Sequence, residues 1–267
     1  MNGPIGVFDS GVGGLTVLKS LTEIFPNENF IYLGDTARVP YGTKSTDTVI
    51  RYSEENANFL INCNSKMIVV ACNTASSVAI PSLVRNLGVP VVGVVKPAAR
   101  EAFNQSKNKK IGVIGTNRTI KSKAYDFALH DLSKEVEIFS YACPLFVPLV
   151  EEGWIDNAIV EDIAKTYLIP LKQYDIDTLI LGCTHYPLLS SVIQRVVGED
   201  IQLIQSGFST AQEIKAVMKK MKINNLNREQ KRKVEYYVTD DETGFNKIAS
   251  LFMSDEIVKA VRCQLDK

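Results

Sequence analysis

Two short apolar runs dominate what this chain can become. Met67–Ala71 and Leu179–Gly182 are each followed directly by a cysteine, and each cysteine is followed by a threonine within two residues and then by a helix-like segment. Runs this short, rich in valine, isoleucine and leucine, read as buried strands rather than helices. Similar runs recur along the chain at Ile5–Phe8, Phe30–Leu33, Val89–Val95, Lys110–Ile114, Val136–Tyr141, Ile201–Ile204 and Val234–Val238. Helical patterns follow Gly14, Ser45, Thr74, Pro97, Thr119, Asp156, Tyr186, Ser209 and Thr243. Strands alternating with helices predict an α/β fold with mostly parallel sheets.

The chain also resembles itself. IGVFDSGVGG from Ile5 has a counterpart in IGVIGTNRTI from Ile111, and IVVACNTASS from Ile68 has one in LILGCTHYPLL from Leu179. Cys72 follows Ile5 by 67 residues, and Cys183 follows Ile111 by 72. Each half is expected to form a similar βα array. Gly88–Pro97 is the expected crossover and Ser206–Gly207 the expected return. The first domain is accordingly 1–96 plus 207–267, and the second is 97–206.

Composition narrows the function classes. Lys plus Arg and Asp plus Glu both number 30, so the formal charge is zero and no footprint for nucleic acid or an anionic membrane stands out. The most basic stretch, Lys215–Lys233, reads as a solvated helix face and loop. No run of about 18 apolar residues is present to span a membrane, and Met1–Pro4 is too short for a signal peptide. The five cysteines, at 63, 72, 143, 183 and 263, have no framework spacing and no CxxC. They read as free thiols in a reducing cytoplasm. Two isolated histidines give no metal-ligand spacing. A GxSxG nucleophile and a GxxxxGK[ST] loop are absent, and no lysine is marked as a pyridoxal-phosphate carrier. The expectation is a protein without cofactor or metal.

Ligands in open α/β sheets sit beyond the carboxyl ends of the strands. Cys72 and Cys183 both fall there, beside helix N-termini, where a thiol pKa is expected to drop from about 8.5 toward neutrality. A single such cysteine is most simply a small core residue. Two at equivalent places in a repeat, each followed by capping residues, read as an acid/base pair. Asn73, Thr74 and Thr184 are N-cap types that leave backbone N–H groups for a substrate carboxylate. His185 lies two residues from Cys183, close enough to tune it, whereas His130 reads as a surface residue.

The glycines of FDSGVGGLTV miss the dinucleotide pattern at its sixth place and read as a tight turn approaching a small ligand. Asp9 and Ser10 at the strand end suit either a substrate ammonium, action on Cys72, or a plain Asx turn. Tyr41 and Gly42 lie in a loop, ARVPYGTKS, that could lay backbone amides over a ligand or be an ordinary surface turn. Glu151 and Glu152, taken alone, are a charge pair at a helix end.

With these residues in view, the chain resembles the glutamate racemase family, part of the cofactor-independent racemase superfamily that includes aspartate racemases. The resemblance runs from Ile5 to about Gly207. It rests on DSGVGG at 9–14, GDTARVPYG at 34–42, ACNTAS at 71–76, FVPLVE at 146–151 and GCTHYPL at 182–188. PYG and GCTHYP favour glutamate over aspartate or hydantoin as the substrate.

The resemblance implies that Cys72 and Cys183 move the α-proton from opposite faces, Cys72 serving the D-enantiomer and Cys183 the L-enantiomer. It implies that Asp9 and His185 support them, with Glu151 beside the second thiol. The fold it implies is two similar α/β domains with mostly parallel sheets, related by a pseudo-twofold and facing each other across the active site, with the C-terminal segment folded back onto the first. Asp9, Ser10, Tyr41, Gly42, Asn73, Thr74, Thr184 and His185 would hold the ammonium and the two carboxylates. No cofactor is implied, and the product D-glutamate would feed peptidoglycan and so cell shape. A homodimer is the candidate assembly. Gln205 stands where many members have Asp, which puts any role of that carboxylate in doubt here. The competing readings are a racemase of another acidic amino acid such as aspartate, and a non-catalytic amino-acid-binding protein on the same scaffold.

Overall fold

Ile5–Asp9 (β1) is buried at every residue, as expected of a strand covered on both faces of a parallel sheet. In the computed structural model, which describes residues 3–223, 232–253 and 257–265, β1 sits inside a six-stranded sheet. Its other strands are Phe30–Gly34 (β2), Met67–Val70 (β3), Val91–Gly93 (β4), Val234–Val238 (β9) and Ala260–Arg262 (β10). A second, four-stranded sheet holds Lys110–Gly115 (β5), Glu137–Ala142 (β6), Thr178–Gly182 (β7) and Gln202–Gln205 (β8). Every pairing in both sheets is parallel. Residues 224–231 of the basic stretch lie outside the described residues.

The strand orders are β10-β9-β2-β1-β3-β4 and β6-β5-β7-β8. Without the two C-terminal strands, the first sheet runs second-first-third-fourth, as the second sheet does. The registers agree as well. Ile5 pairs with Phe30 of β2 and Met67 of β3, and Ile111 pairs with Ile138 of β6 and Thr178 of β7. Cys72 therefore follows Met67, the partner of Ile5, by the same five residues that separate Cys183 from Thr178, the partner of Ile111.

Helices cover the sheets: Leu15–Ile24 (α1), Thr46–Asn62 (α2), Asn73–Val78 (α3), Ile80–Asn86 (α4), Val95–Gln105 (α5), Asn117–Ser122 (α6) and Ala124–His130 (α7). Phe146–Glu151 (α8), Ala158–Lys172 (α9), Ser190–Val197 (α10), Ser206–Lys220 (α11) and Glu242–Phe252 (α12) complete them. α11 packs on α1 and α5. One apolar core is continuous between the sheets, joining Val7, Leu15 and Leu18 to Ile114, Phe146, Leu181 and Tyr186. Among the described residues no helix is long and apolar enough to cross a membrane.

Several expected elements shift. The strand expected over 89–95 is only Val91–Gly93, because Val94 caps α5 and Pro97 sits in its first turn, where a missing N–H costs nothing. The helix expected after Thr119 is two pieces, broken at Lys123, whose φ is +55°. The helix after Tyr186 begins as a 3-10 turn over Tyr186–Leu189, with Pro187 in it. β10, three residues long, carries too little pattern to be read from sequence.

Candidate active site

The carboxyl ends of β1, β3 and β7 converge. Ser10, Tyr41, Gly42, Cys72, Asn73, Thr74, Cys183, Thr184 and His185 line one cavity. Asp9 and Glu151 lie behind it, each touching a lining residue. Val39, Pro40, Thr116 and Val147 also line it and were not singled out by sequence. Thr116 had a signal: when IGVIGTNRTI is laid on IGVFDSGVGG, Thr116 falls on Ser10.

Cys72 is 5% exposed and is itself the N-cap of α3, so Asn73 and Thr74 are its first helical residues rather than its caps. Its Sγ lies 3.6 Å from the Ser10 hydroxyl. The expected drop in its pKa is not what the site produces. Burial pushes the thiol up to about 12, the Asp9 carboxylate adds to the rise, and the Ala75 N–H and Ser10 only partly oppose them. Desolvation of a thiolate outweighs a short helix's N-terminus.

Cys183 is 6% exposed and has a different neighbourhood. His185 Nδ1 lies 3.9 Å from its Sγ, and His185 Nε2 lies 3.1 Å from Oε1 of Glu151. Glu151 is the last residue of α8, so it does stand at a helix end, and it approaches the thiol through the imidazole. Burial disfavours the imidazolium, but the bonds and charges of Cys183 and Glu151 overcome it and raise the His185 pKa to about 10.

Asp9 is fully buried. Its Oδ2 accepts from the Gly11 N–H at 2.9 Å, and its Oδ1 from the Thr184 hydroxyl at 3.4 Å. Burial raises its pKa, opposed by the charge of His185 and by these donors. Asp9 thus does make an Asx-type turn, and it also touches the residue after Cys183. The glycines after it approach protein rather than ligand. A Cβ on Gly13 would stand 2.4 Å from Thr184 Oγ1 and 2.5 Å from the His185 ring, so only glycine lets β1's turn close on the β7 junction.

Tyr41 is anchored, not free. Its hydroxyl is bonded to Asp35 and accepts from Asn56 Nδ2 at 3.0 Å. Asp35 also accepts from Arg38 Nε and, at 3.0 Å, from Thr239. This buried cluster fixes a loop whose Tyr41–Gly42 stretch faces the cavity, after a cis Val39–Pro40 bond. Thr74, Thr116 and Thr119 join their hydroxyls across the two sheets at 2.9–3.3 Å.

Asn73 Oδ1 accepts from the Tyr125 hydroxyl at 2.6 Å, while Asn73 Nδ2 is buried with no partner among the described residues. Gln205 is exposed, donates to the Ser190 hydroxyl at 3.2 Å and does not line the cavity. His130 is half-buried at the end of α7, away from these residues. Among the described residues no group of three His, Cys, Asp or Glu side chains is placed to hold a metal ion.

Comparison with known proteins agrees with this geometry. The profile of the family described as Asp/Glu/Hydantoin racemase matches residues 5–214. A glutamate racemase of Geobacter metallireducens is 47% identical over 262 residues, covering 98% of this chain and 97% of that protein. The crystal structure of glutamate racemase isoform RacE1 from Bacillus anthracis superposes with a TM-score of 0.94 at 40% identity, over 99% of this chain and 98% of that one. Glutamate racemase from Francisella tularensis, crystallised in complex with D-glutamate, gives a TM-score of 0.92 at 38% identity, over 99% and 98% of the two chains.

Proposed function

This chain belongs to the Asp/Glu/hydantoin racemase family, and from that premise we propose that it interconverts L- and D-glutamate with Cys72 and Cys183 as the two acid/base groups. The observation that carries the reading is the pair of thiols at register-equivalent strand ends, lining one cavity. A binding protein has no need of such a pair. The relatives at 38–47% identity over nearly full length support glutamate as the substrate.

Racemisation needs one thiol charged and the other neutral. Cys72, held up by burial and Asp9, is the neutral acid of the resting site. An imidazolium at His185, backed by Glu151, places a positive charge beside the Cys183 sulfur. In the L-to-D direction the Cys183 thiolate takes the α-proton, and the Cys72 thiol delivers its proton to the opposite face. In the D-to-L direction the two exchange roles. The carbanionic intermediate is stabilised by donors on its carboxylate, for which the Ser10 and Thr74 hydroxyls, the Thr184 N–H and the Tyr41–Gly42 amides are the candidates, while Asn73 Nδ2 binds a substrate carboxylate in ground and transition states alike. Ser10 receives the ammonium, with the Asp9 carboxylate behind it. Burial of the site excludes water and strengthens each contact.

No cofactor enters this scheme. The domain division supporting it assigns 1–96 with 207–267 to the six-stranded sheet and 97–206 to the four-stranded one. The further reading is of a cytoplasmic enzyme, possessing five free cysteines among the described residues, that supplies D-glutamate for peptidoglycan and acts as a homodimer, with glutamate rather than nucleic acid or membrane as its partner.

The deciding experiment is to incubate purified, chelator-dialysed protein with each enantiomer of glutamate and of aspartate in D2O. The expected result is deuterium at Cα of glutamate and formation of its mirror form without added cofactor. Exchange with aspartate alone, or activity that returns only with an added cofactor or metal, would overturn the reading.

A further inference from the structure

We infer that Tyr125 is a positioning residue for this reaction, its phenol holding the Asn73 amide so that the Nδ2 donors face a substrate carboxylate. The inference rests on the racemase reading above and names a residue that neither the motifs nor the cavity lining includes. Tyr125 belongs to α7, on the four-stranded side, and is 2% exposed. Asn73 follows Cys72 on the six-stranded side and is also 2% exposed. Their bond, Tyr125 hydroxyl to Asn73 Oδ1 at 2.6 Å, therefore joins the two sheets within the core.

An asparagine amide has an acceptor end and a donor end, and what occupies one end decides what the other presents. With Oδ1 occupied by the phenol, the NH2 group is left buried and without a partner among the described residues, on a residue that lines the cavity. A buried unpaired donor is costly unless something arrives to accept from it. A carboxylate does so. The reversed amide would turn Oδ1 toward that carboxylate and repel it.

Two further features make the phenol a dependable donor. Burial raises its pKa, so it keeps its proton, and Ser206 at the start of α11 is within hydrogen-bonding reach of it. The ring itself is wedged in place. A Cβ on Gly182, the residue before Cys183, would meet Tyr125 Cε2 at 3.1 Å. One side chain thus rests against the residue preceding one thiol and orients the residue following the other.

The test compares parent, Tyr125→Phe, Asn73→Ala and the double variant in racemisation from both enantiomers. Losing a contact made equally in ground and transition states raises KM and leaves kcat. Tyr125→Phe is expected to raise KM for both enantiomers about tenfold, the usual scale of one hydrogen bond to a charged group, with kcat within about threefold. The double variant is expected to be no worse than Asn73→Ala, because the two residues act as one unit. A Tyr125→Phe KM within about twofold of the parent, or losses that multiply in the double variant, would overturn the inference. If Tyr125→Phe is unstable, 4-fluorophenylalanine in place of Tyr125 fills the hydroxyl's space without its donor, and the same KM criterion applies. A parent that racemises no glutamate would defeat the earlier reading instead.

Discussion

Nδ1 of His185 lies 3.9 Å from Sγ of Cys183, while the imidazole's far nitrogen meets Glu151 at 3.1 Å. With the His185 pKa at about 10, the ring is charged at neutral pH. His185→Asn removes that charge and is expected to lower kcat/KM about a hundredfold, the lower end for an acid/base contribution. Glu151→Gln, which leaves the ring in place, should cost less. Steady-state racemisation of both variants checks this, and a His185→Asn variant within about threefold of the parent removes His185 from the machinery.

Replacing either thiol isolates the other. Cys72→Ala and Cys183→Ala should each abolish racemisation, and serine at either place should lose most activity, because a hydroxyl ionises far less readily. One-sided chemistry should survive. Elimination from a glutamate analogue with a leaving group at Cβ should proceed from the D-form in Cys183→Ala and from the L-form in Cys72→Ala. Both variants preferring the same enantiomer would defeat the two-base assignment, and reversed preferences would reverse the faces. Alanine at Cys63, Cys143 or Cys263, none of which lines the cavity, should leave turnover of folded protein intact.

The Cys72 thiol has a directional effect on stability. Its pKa rises from an ordinary 9.0 to about 12 on folding. The folded form keeps a proton that the unfolded chain releases. This contribution is fully present below pH 9.0 and is lost as pH rises toward 12. Urea unfolding between those limits should therefore show a shallower pH slope for Cys72→Ser than for the parent. Equal slopes would contradict the burial of a neutral thiol.

At the opposite end of the six-stranded sheet, Lys66 Nζ meets Glu28 Oε2 at 2.7 Å, both side chains being 1% exposed. They precede β3 and β2, whereas the cavity lies beyond the strands' carboxyl ends. Lys66→Met strands a buried carboxylate and should cost about 3–5 kcal/mol of stability. Adding Glu28→Leu should recover most of it. Chemical denaturation measures both, and kcat of the folded fraction should be unchanged in each.

Much of this was legible because parallel strands buried on both faces read as unbroken apolar runs, and because the duplication left matching strings around Cys72 and Cys183. What escaped depends on packing across the chain. Tyr125 is an ordinary helix tyrosine until α7 places it against Asn73. The anchoring of the Tyr41 hydroxyl by Asp35 and Asn56 joins residues 6 and 15 positions away and has no signature in the local string ARVPYGTKS. The direction of the Cys72 shift is a property of the water that folding removes, which no local string records.

The two thiols share a register but not their supports, Asp9 and Ser10 attending one and His185 and Glu151 the other. Mirror-image reactants have equal free energies, so no arrangement of neighbours can tilt the final ratio of the two forms. On the two-thiol reading, the unlike supports set only how the idle protein divides between its two singly charged states, each of which accepts one hand of substrate. Every conversion leaves the protein in the state that suits its product. A flood of one enantiomer therefore depletes the state it needs, and the exchange of a proton with solvent between conversions becomes the step that paces a one-way flux.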